Sequence, residues 1–197
     1  MSIEAIVLAA GLSSRAPSYK MALEFNNKTV LQTCIENMYN EVDKIIVVGG
    51  YNFHIIKNLL KNYNKVNLVS NDRYEDGMFS SVRLGINSIS SDRFFLIPGD
   101  YVLVGSSIYN SLINYESKKS IVIPSYEGIK GHPVFFKNDC IKSLINRSEF
   151  NNLREVISHI GFETLDLKDE SILYDIDTYE DYKFVKEKYF FKYGSRA

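Results

Sequence analysis

The sequence predicts an α/β protein with a mostly parallel central sheet and helices on both faces. Three observations carry that expectation. Short continuous apolar runs such as Ile6-Val7-Leu8 read as strands buried on both faces. Stretches with apolar residues near a 3.6-residue spacing separate them, as expected of amphipathic helices. The chain has 197 residues, 45% hydrophobic and 24% charged, with no repeat, linker or low-complexity tract, so residues 1–197 read as one domain.

The elements follow in order. Ile3–Leu8 is expected as the first strand, and Thr29–Tyr39 as a helix in which Cys34 falls in step with Val30, Leu31, Ile35 and Met38. Cys34 and Cys140 lie outside any CxxC spacing and read as reduced, buried thiols rather than a disulfide or metal ligands. Lys44–Val48 is a second strand ending in Gly49-Gly50. Phe53, Ile56, Leu59, Leu60 and Tyr63 mark one face of the next helix. Val66–Val69 is a third strand, followed by a helix over Ser80–Ile89. Arg93–Ile97 is a fourth strand, stopped by Pro98-Gly99-Asp100.

The rhythm then changes. Ile121–Ile123 and Val134–Phe136 are expected as paired strands carrying a long functional loop from Pro124 to Pro133. Helices are expected over Asn138–Ile145 and Leu153–Ile160, with a short strand near Glu163–Leu167. The last helix opens near Thr178, where Thr178 and Asp181 form a capping pair.

The formal net charge is −1, so no global basic field points to nucleic acid or an anionic membrane. No apolar stretch reaches membrane-spanning length and the N-terminus lacks a signal-peptide layout, so a cytoplasmic protein is expected. Any anion site must be local.

In parallel sheets, ligands sit beyond the carboxyl ends of the strands. The loop after the first strand, Gly49-Gly50, the Asn71–Ser81 segment and Asp100 all fall there. That loop, Leu8-Ala9-Ala10-Gly11 and onward, ends a strand in small residues and places Arg15 and Lys20 just downstream. It suits a triphosphate, and it equally suits an ordinary strand-to-helix turn. It is neither a Walker sequence nor a dinucleotide fingerprint.

Asp100, at a strand end facing such a loop, is placed to hold Mg²⁺, the alternative being a plain turn aspartate. Asp175 and Asp177 alternate onto one face and either join that metal or complement a helix N-terminus. Gly77 allows close backbone approach to a ligand. Ser80 is expected to cap the following helix, leaving Ser81 to present a hydroxyl to a base or ribose. His132, held between Gly131 and Pro133, is either structural or in contact with a second substrate; His54 and His159 read as surface residues.

Taken together, Leu8-Ala-Ala-Gly-Leu-Ser-Ser-Arg15 with Lys20, Asn71 to Gly77-Met78 and Ser81-Val82, Pro98-Gly99-Asp100, Gly131-His132-Pro133 and Asp175-Ile-Asp-Thr178 resemble the MobA/MocA-like nucleotidyltransferases. Within that group the Leu-Ala-Ala-Gly and Gly-His-Pro segments are most similar to the molybdenum cofactor cytidylyltransferases. The resemblance implies a Rossmann-like nucleotidyltransferase fold, and transfer of a nucleoside monophosphate from an NTP, CTP favoured over GTP, to a phosphorylated acceptor with release of pyrophosphate. Molybdopterin is the leading acceptor; a sugar or polyol phosphate, or a non-catalytic nucleotide-binding role, are the alternatives. By the same resemblance, the backbone of Leu8, Ala9, Ala10 and Gly11, with Arg15 and Lys20, holds the triphosphate. Asp100 and Asp177 hold Mg²⁺, Ser81 and the Gly49-Gly50 turn lie near the base, Asn71 and Gly77 also serve the nucleotide, and Gly131 and His132 lie near the acceptor. A molybdoenzyme or its chaperone is the implied protein partner. The chain departs from the family at Ala16-Pro17, where Met-Gly is usual, and at Val102, where proline is common.

Overall fold

The structure is a computed structural model and describes residues 2–12, 19–137 and 139–194, less the side chains of 139, 140 and 193. All seven residues of β1 (Ile3–Ala9) are buried. Their alternation divides them: Ile3, Ala5, Val7 and Ala9 enter one apolar cluster, and Ile6 and Leu8 enter another. A strand that feeds two cores must be covered on both sides, and that fact organises the fold.

After a two-stranded hairpin, β2 (Glu24–Phe25) with β3 (Lys28–Thr29), comes α1 (Val30–Met38), opened by a capping box between Thr29 and Gln32. Next are β4 (Lys44–Gly49), α2 (Phe53–Leu60), β5 (Val66–Ser70), α3 (Met78–Ser88), β6 (Arg93–Pro98) and α4 (Ser106–Asn114). The second half holds β7 (Ile121–Tyr126), β8 (Ile129–Lys130), β9 (Val134–Phe136), α5 (Leu153–Ile160), β10 (Glu163–Asp166) and α6 (Tyr179–Tyr193).

The sheet order is β10-β7-β9-β6-β1-β4-β5, with β8 paired to β7. The run β6-β1-β4-β5 is parallel throughout; β9 lies antiparallel between β6 and β7. Helices α1, α2 and α4 pack on one face, where Leu31, Cys34, Ile56 and Tyr109 are buried. On the other face α3 and α5 bury Val82, Ile86, Val156 and Ile157. The fold class is therefore the α/β arrangement read from the sequence. No helix among the described residues is long and apolar enough to cross a membrane. Cys34 is a buried free thiol, and the side chain of Cys140 lies outside the described set.

Two expectations are corrected, and one element was not expected. The described part of the helix expected over 138–145 is not an α-helix: a 3-10 segment covers Asp139–Ser143. Ile141 and Ile145 are buried as their spacing suggested, but the Arg83 guanidinium takes the carbonyls of Ile145 and Phe150 at 2.9 and 3.0 Å. Those carbonyls need no helical partner. The long loop from Pro124 to Pro133 is mostly a tight hairpin, since β7 runs on through Tyr126 and β8 folds back. Glu127 and Gly128 both have positive φ (49° and 80°), the signature of a two-residue turn between twisted strands. Finally, α4 was not expected from the sequence, although Ile108, Tyr109 and Leu112 recur at helical spacing and are buried.

Candidate functional site

The carboxyl ends of β1, β4, β5 and β6 share one edge of the sheet, and a cavity of ≈330 Å³ opens there. Its wall includes Leu8, Ala10 and Gly11 after β1, Lys20, Gly77 and Ser81 before and within α3, and Asp100 after β6. Gly77 has φ of 93°, a conformation that glycine adopts without strain, and nothing stands within 4 Å of where a Cβ would be.

One end of the cavity is charged. Lys20 Nζ donates to Asp100 Oδ2 over 2.5 Å and to Asp177 Oδ1 over 3.2 Å. The local sequence explains how residues 80 positions apart meet. Lys20 begins a 3-10 turn whose next residue, Met21, is buried; its sulfur fits beside Gly99, where a Cβ would lie 3.2 Å away. The turn is thus anchored in the core next to Asp100. From the other side, Ile176 is fully buried with Phe25, Val30, Val102, Leu103 and Val185. With Ile176 pinned inward in extended backbone, its neighbours Asp175 and Asp177 are turned the opposite way, toward Asp100. Val102, where the family often has proline, is part of that apolar anchor.

One oxygen each from Asp100, Asp175 and Asp177 lie within 4.8 Å of one another. Three carboxylates and the Lys20 ammonium leave two formal negative charges in the described site. The ionisation directions agree with that excess. Burial pushes the Asp100 carboxyl above its ordinary value, although Lys20 pulls it back. Asp175 is raised by burial and by Asp100 and Asp177. For Lys20, burial opposes the cation, but Asp100 and Asp177 outweigh it and the pKa rises. Asp100 Oδ1 is sealed from solvent and has no hydrogen-bond partner among the described residues. An orphaned buried oxygen amid excess negative charge is the donor set of a hard divalent cation.

The other end is built on uncharged hydrogen bonds, with Glu75 also on its wall. Asn71 is buried and donates to Ser80 and Ser81, while Tyr74 and Met78 complete the wall.

Of the residues singled out in the sequence, Leu8, Ala10, Gly11, Lys20, Gly77, Ser81 and Asp100 line the cavity. Ala9, Gly49, Gly50 and Asn71 stand behind its wall. Gly50 is packed so closely that a Cβ would meet Tyr74 Cβ at 2.6 Å and Ala10 Cβ at 2.9 Å. Arg15 and the Ala16-Pro17 departure lie outside the described residues. Ser80 is not the helix cap: Gly77 holds that position and Ser80 sits a turn in, donating to the Gly77 carbonyl over 2.8 Å. Asp175 and Asp177 do not cap α6, because Thr178 and Asp181 do.

Gly131 and His132 lie away from the cavity. A Cβ at Gly131 would fall 2.3 Å from the Ile172 carbonyl oxygen, so close packing is what demands glycine there. The His132 ring packs edge-on against Tyr101, 4.8 Å between centroids, and its Nδ1 is sealed without a partner among the described residues. Burial lowers its pKa to about 4, against a backbone hydrogen bond with Leu96. Tyr101, unnoticed in the sequence, links this ring to the acidic group, since Asp175, Asp100 and Asp177 all act on its phenol. Its position directly after Asp100 was the available signal. His54 and His159 are exposed.

The sequence profile of the MobA-like NTP transferase domain matches residues 5–164. The chain is 29% identical over 188 residues to the molybdenum cofactor cytidylyltransferase of Escherichia coli K12, covering 95% of this chain and 97% of that one. Its fold is similar to that of a nucleotidyl transferase from Methanothermobacter, with a TM-score of 0.85 and 19% identity over 97% of this chain and 99% of the other. A Mycobacterium tuberculosis protein solved in complex with manganese has a TM-score of 0.76 at 20% identity, over 95% of this chain and 99% of its own.

Proposed function

Starting from the fact that this chain belongs to the MobA-like NTP transferase family and is a nucleotidyltransferase, we propose that it transfers CMP from CTP to molybdopterin and releases pyrophosphate. The contact between Lys20 and Asp100, at one end of a cavity floored by the loop after β1, is the observation that carries this reading. The lean toward CTP rests on Ala10 in the Leu8–Gly11 loop and on the likeness to the Escherichia coli cytidylyltransferase.

In this reading Asp100, Asp175 and Asp177 hold a divalent cation, Mg²⁺ in the cell, which when bound neutralises phosphate charge. Asp175 is an addition to the pair expected from the sequence. Lys20 is pre-placed between the carboxylates and the triphosphate, and Arg15 supplies a second cation from the same loop. Oxygen from the acceptor's phosphate bonds to the α-phosphorus while the bond to the bridging oxygen of the β-phosphate breaks, and pyrophosphate leaves in line. No residue needs to form a covalent intermediate. The chain's own contribution is orientation and fixed charge, which act without reorganisation in a cleft of this kind. The acceptor approaches from the side of Tyr101, Gly131 and His132. A molybdoenzyme or its chaperone takes the product, in the cytoplasm, a setting consistent with the free thiol of Cys34.

The test is pyrophosphate release with Mg²⁺ and molybdopterin, comparing CTP, GTP and ATP. Release with CTP well above the other two is the expected result. Equal rates with all three undo the cytidine assignment, and release only with a sugar or polyol phosphate replaces the acceptor.

A further inference from the structure

The Lys20 ammonium stands among the carboxylates that would hold a divalent cation. Its Nζ lies 2.5 Å from Asp100 Oδ2 and 3.2 Å from Asp177 Oδ1, so one charge bridges two of the three clustered acids. This is no loose surface pair: the Lys20 side chain is 14% exposed and that of Asp100 5%. The fold holds the lysine there. Lys20 opens the 3-10 turn in which Met21 is buried beside Gly99, one residue before Asp100. The Leu23 N–H closes that turn on the Lys20 carbonyl over 3.2 Å.

An ammonium and a hard divalent cation ask for the same oxygens. A metal seated on these carboxylates would lie within a few ångström of Nζ, where two positive charges in a buried site repel, so each weakens the hold of the other. A buried cation that leaves its carboxylates needs a new anion to receive it. The way out for Lys20 is the cavity, whose wall it shares with Leu8, Ala10, Gly11 and Leu12 of the loop after β1. A triphosphate along that loop would offer the ammonium fresh charged oxygens.

We propose that Lys20 is a resident counter-cation: it weakens divalent-metal binding to the empty site and passes to the triphosphate when nucleotide enters. This rests on the nucleotide and metal sites proposed above. Nucleotide entry then frees Asp100 and Asp177, and the metal is taken up with the nucleotide rather than before it. Until that moment Lys20 offsets the repulsion among three acids that each bring an oxygen within 4.8 Å of the others. Lys20 is thus a switch between two anionic partners, and its charge sets the order of binding.

The experiment is Mn²⁺ binding to the full chain without nucleotide, followed by loss of the free-ion electron paramagnetic resonance signal. Wild type should bind weakly. Lys20→Met, which keeps the length and removes the charge, should bind about tenfold more tightly. Lys20→Arg keeps a cation and should stay near wild type. Calorimetry with CTP and a chelator should show the opposite change, Lys20→Met binding nucleotide more weakly than wild type. A merely structural lysine would weaken both ligands together. Thermal unfolding checks each fold, and Lys20→Gln, whose neutral amide can still meet Asp100, carries the test should Lys20→Met unfold. Mn²⁺ affinity unchanged or reduced in the folded neutral variant overturns the inference, and so does equal tightening in Lys20→Arg, which would put the effect in shape rather than charge. Mn²⁺ binding that Asp100→Asn weakens but the neutral Lys20 variants leave alone overturns this inference only. Absence of Mn²⁺ binding in every form, or binding that Asp100→Asn does not weaken, overturns the metal site and this inference with it.

Discussion

The two ends of the cavity are built on opposite principles. At the end of β6, Asp100, Asp175 and Asp177 crowd around Lys20, with the Asp100 and Asp175 carboxyls raised by burial and one buried Asp100 oxygen unsatisfied among the described residues. Between β5 and α3, Asn71, Ser80 and Arg73 satisfy one another through neutral hydrogen bonds. Among the described residues the charged end carries more negative than positive charge, and it should gain most from what binds it. The neutral end is structurally complete and should contribute selectivity. Burying like charges together costs free energy that a ligand can recover, whereas a finished hydrogen-bond network offers only a choice between partners.

The largest effect expected from breaking this contrast is on turnover. Asp100→Ala should lower Mg²⁺-dependent pyrophosphate release by about 10²–10³ while circular dichroism shows the fold retained. Turnover like that of wild type would remove the role assigned to the charged end. Next comes the metal. Saturating Mg²⁺, near 100 times its dissociation constant, adds about 2.7 kcal/mol to stability, which for a chain of this length raises Tm by about 5–10 °C. Chelation should abolish the rise, and Asp100→Ala should shrink it. A thermal scan with no response to Mg²⁺ in wild type would sink the cation site.

His132 gives a third, smaller effect. Its folded pKa of about 4 lies below the unfolded value, so the unfolded state takes up its proton first as pH falls. Stability from this group is present above about pH 6.5 and is lost below it. Between about pH 7 and pH 5 wild type should lose about 2 kcal/mol relative to His132→Gln in urea unfolding. Parallel curves would mean that the ring is not held neutral by burial.

The last effect has the opposite sign. Burial raises Asp100, so the folded state holds its proton longer than the unfolded chain does. Stability from this group therefore falls as pH rises from about 4 through the raised value. Asp100→Asn should flatten that fall in the metal-free protein. Adding Mg²⁺ to wild type should reverse it, because the cation favours the ionised carboxyl. Identical slopes for wild type and Asp100→Asn would show that the carboxyl is not strained by burial.

Much of this arrangement was legible in the chain. The apolar runs of β1, β4, β5 and β6 and the helical spacing around Cys34 depend on local periodicity, and topology then carries their polar ends to one edge. The 3-10 segment at Asp139–Ser143 was misread because its apolar spacing is that of a helix, while Arg83, remote in sequence, holds the carbonyls of Ile145 and Phe150 just beyond it. The need for glycine at two positions is likewise a tertiary matter. Gly50 and Gly131 look like ligand-approach positions in sequence, but their demand for a missing Cβ comes from Tyr74, Ala10 and Ile172.

By itself, then, the chain determined its fold class, the small-residue loop after β1, and the candidate roles of Lys20, Asp100 and Asp177, because periodicity and side-chain chemistry are properties of neighbours. Only the tertiary structure decided that Ile176 turns Asp175 as well as Asp177 toward Asp100, that Tyr101 packs edge-on against His132, and that Asn71 donates to both Ser80 and Ser81. Each of those outcomes depends on a distance or a hydrogen-bond direction between residues from different elements. No spacing along a chain encodes that until the core has packed.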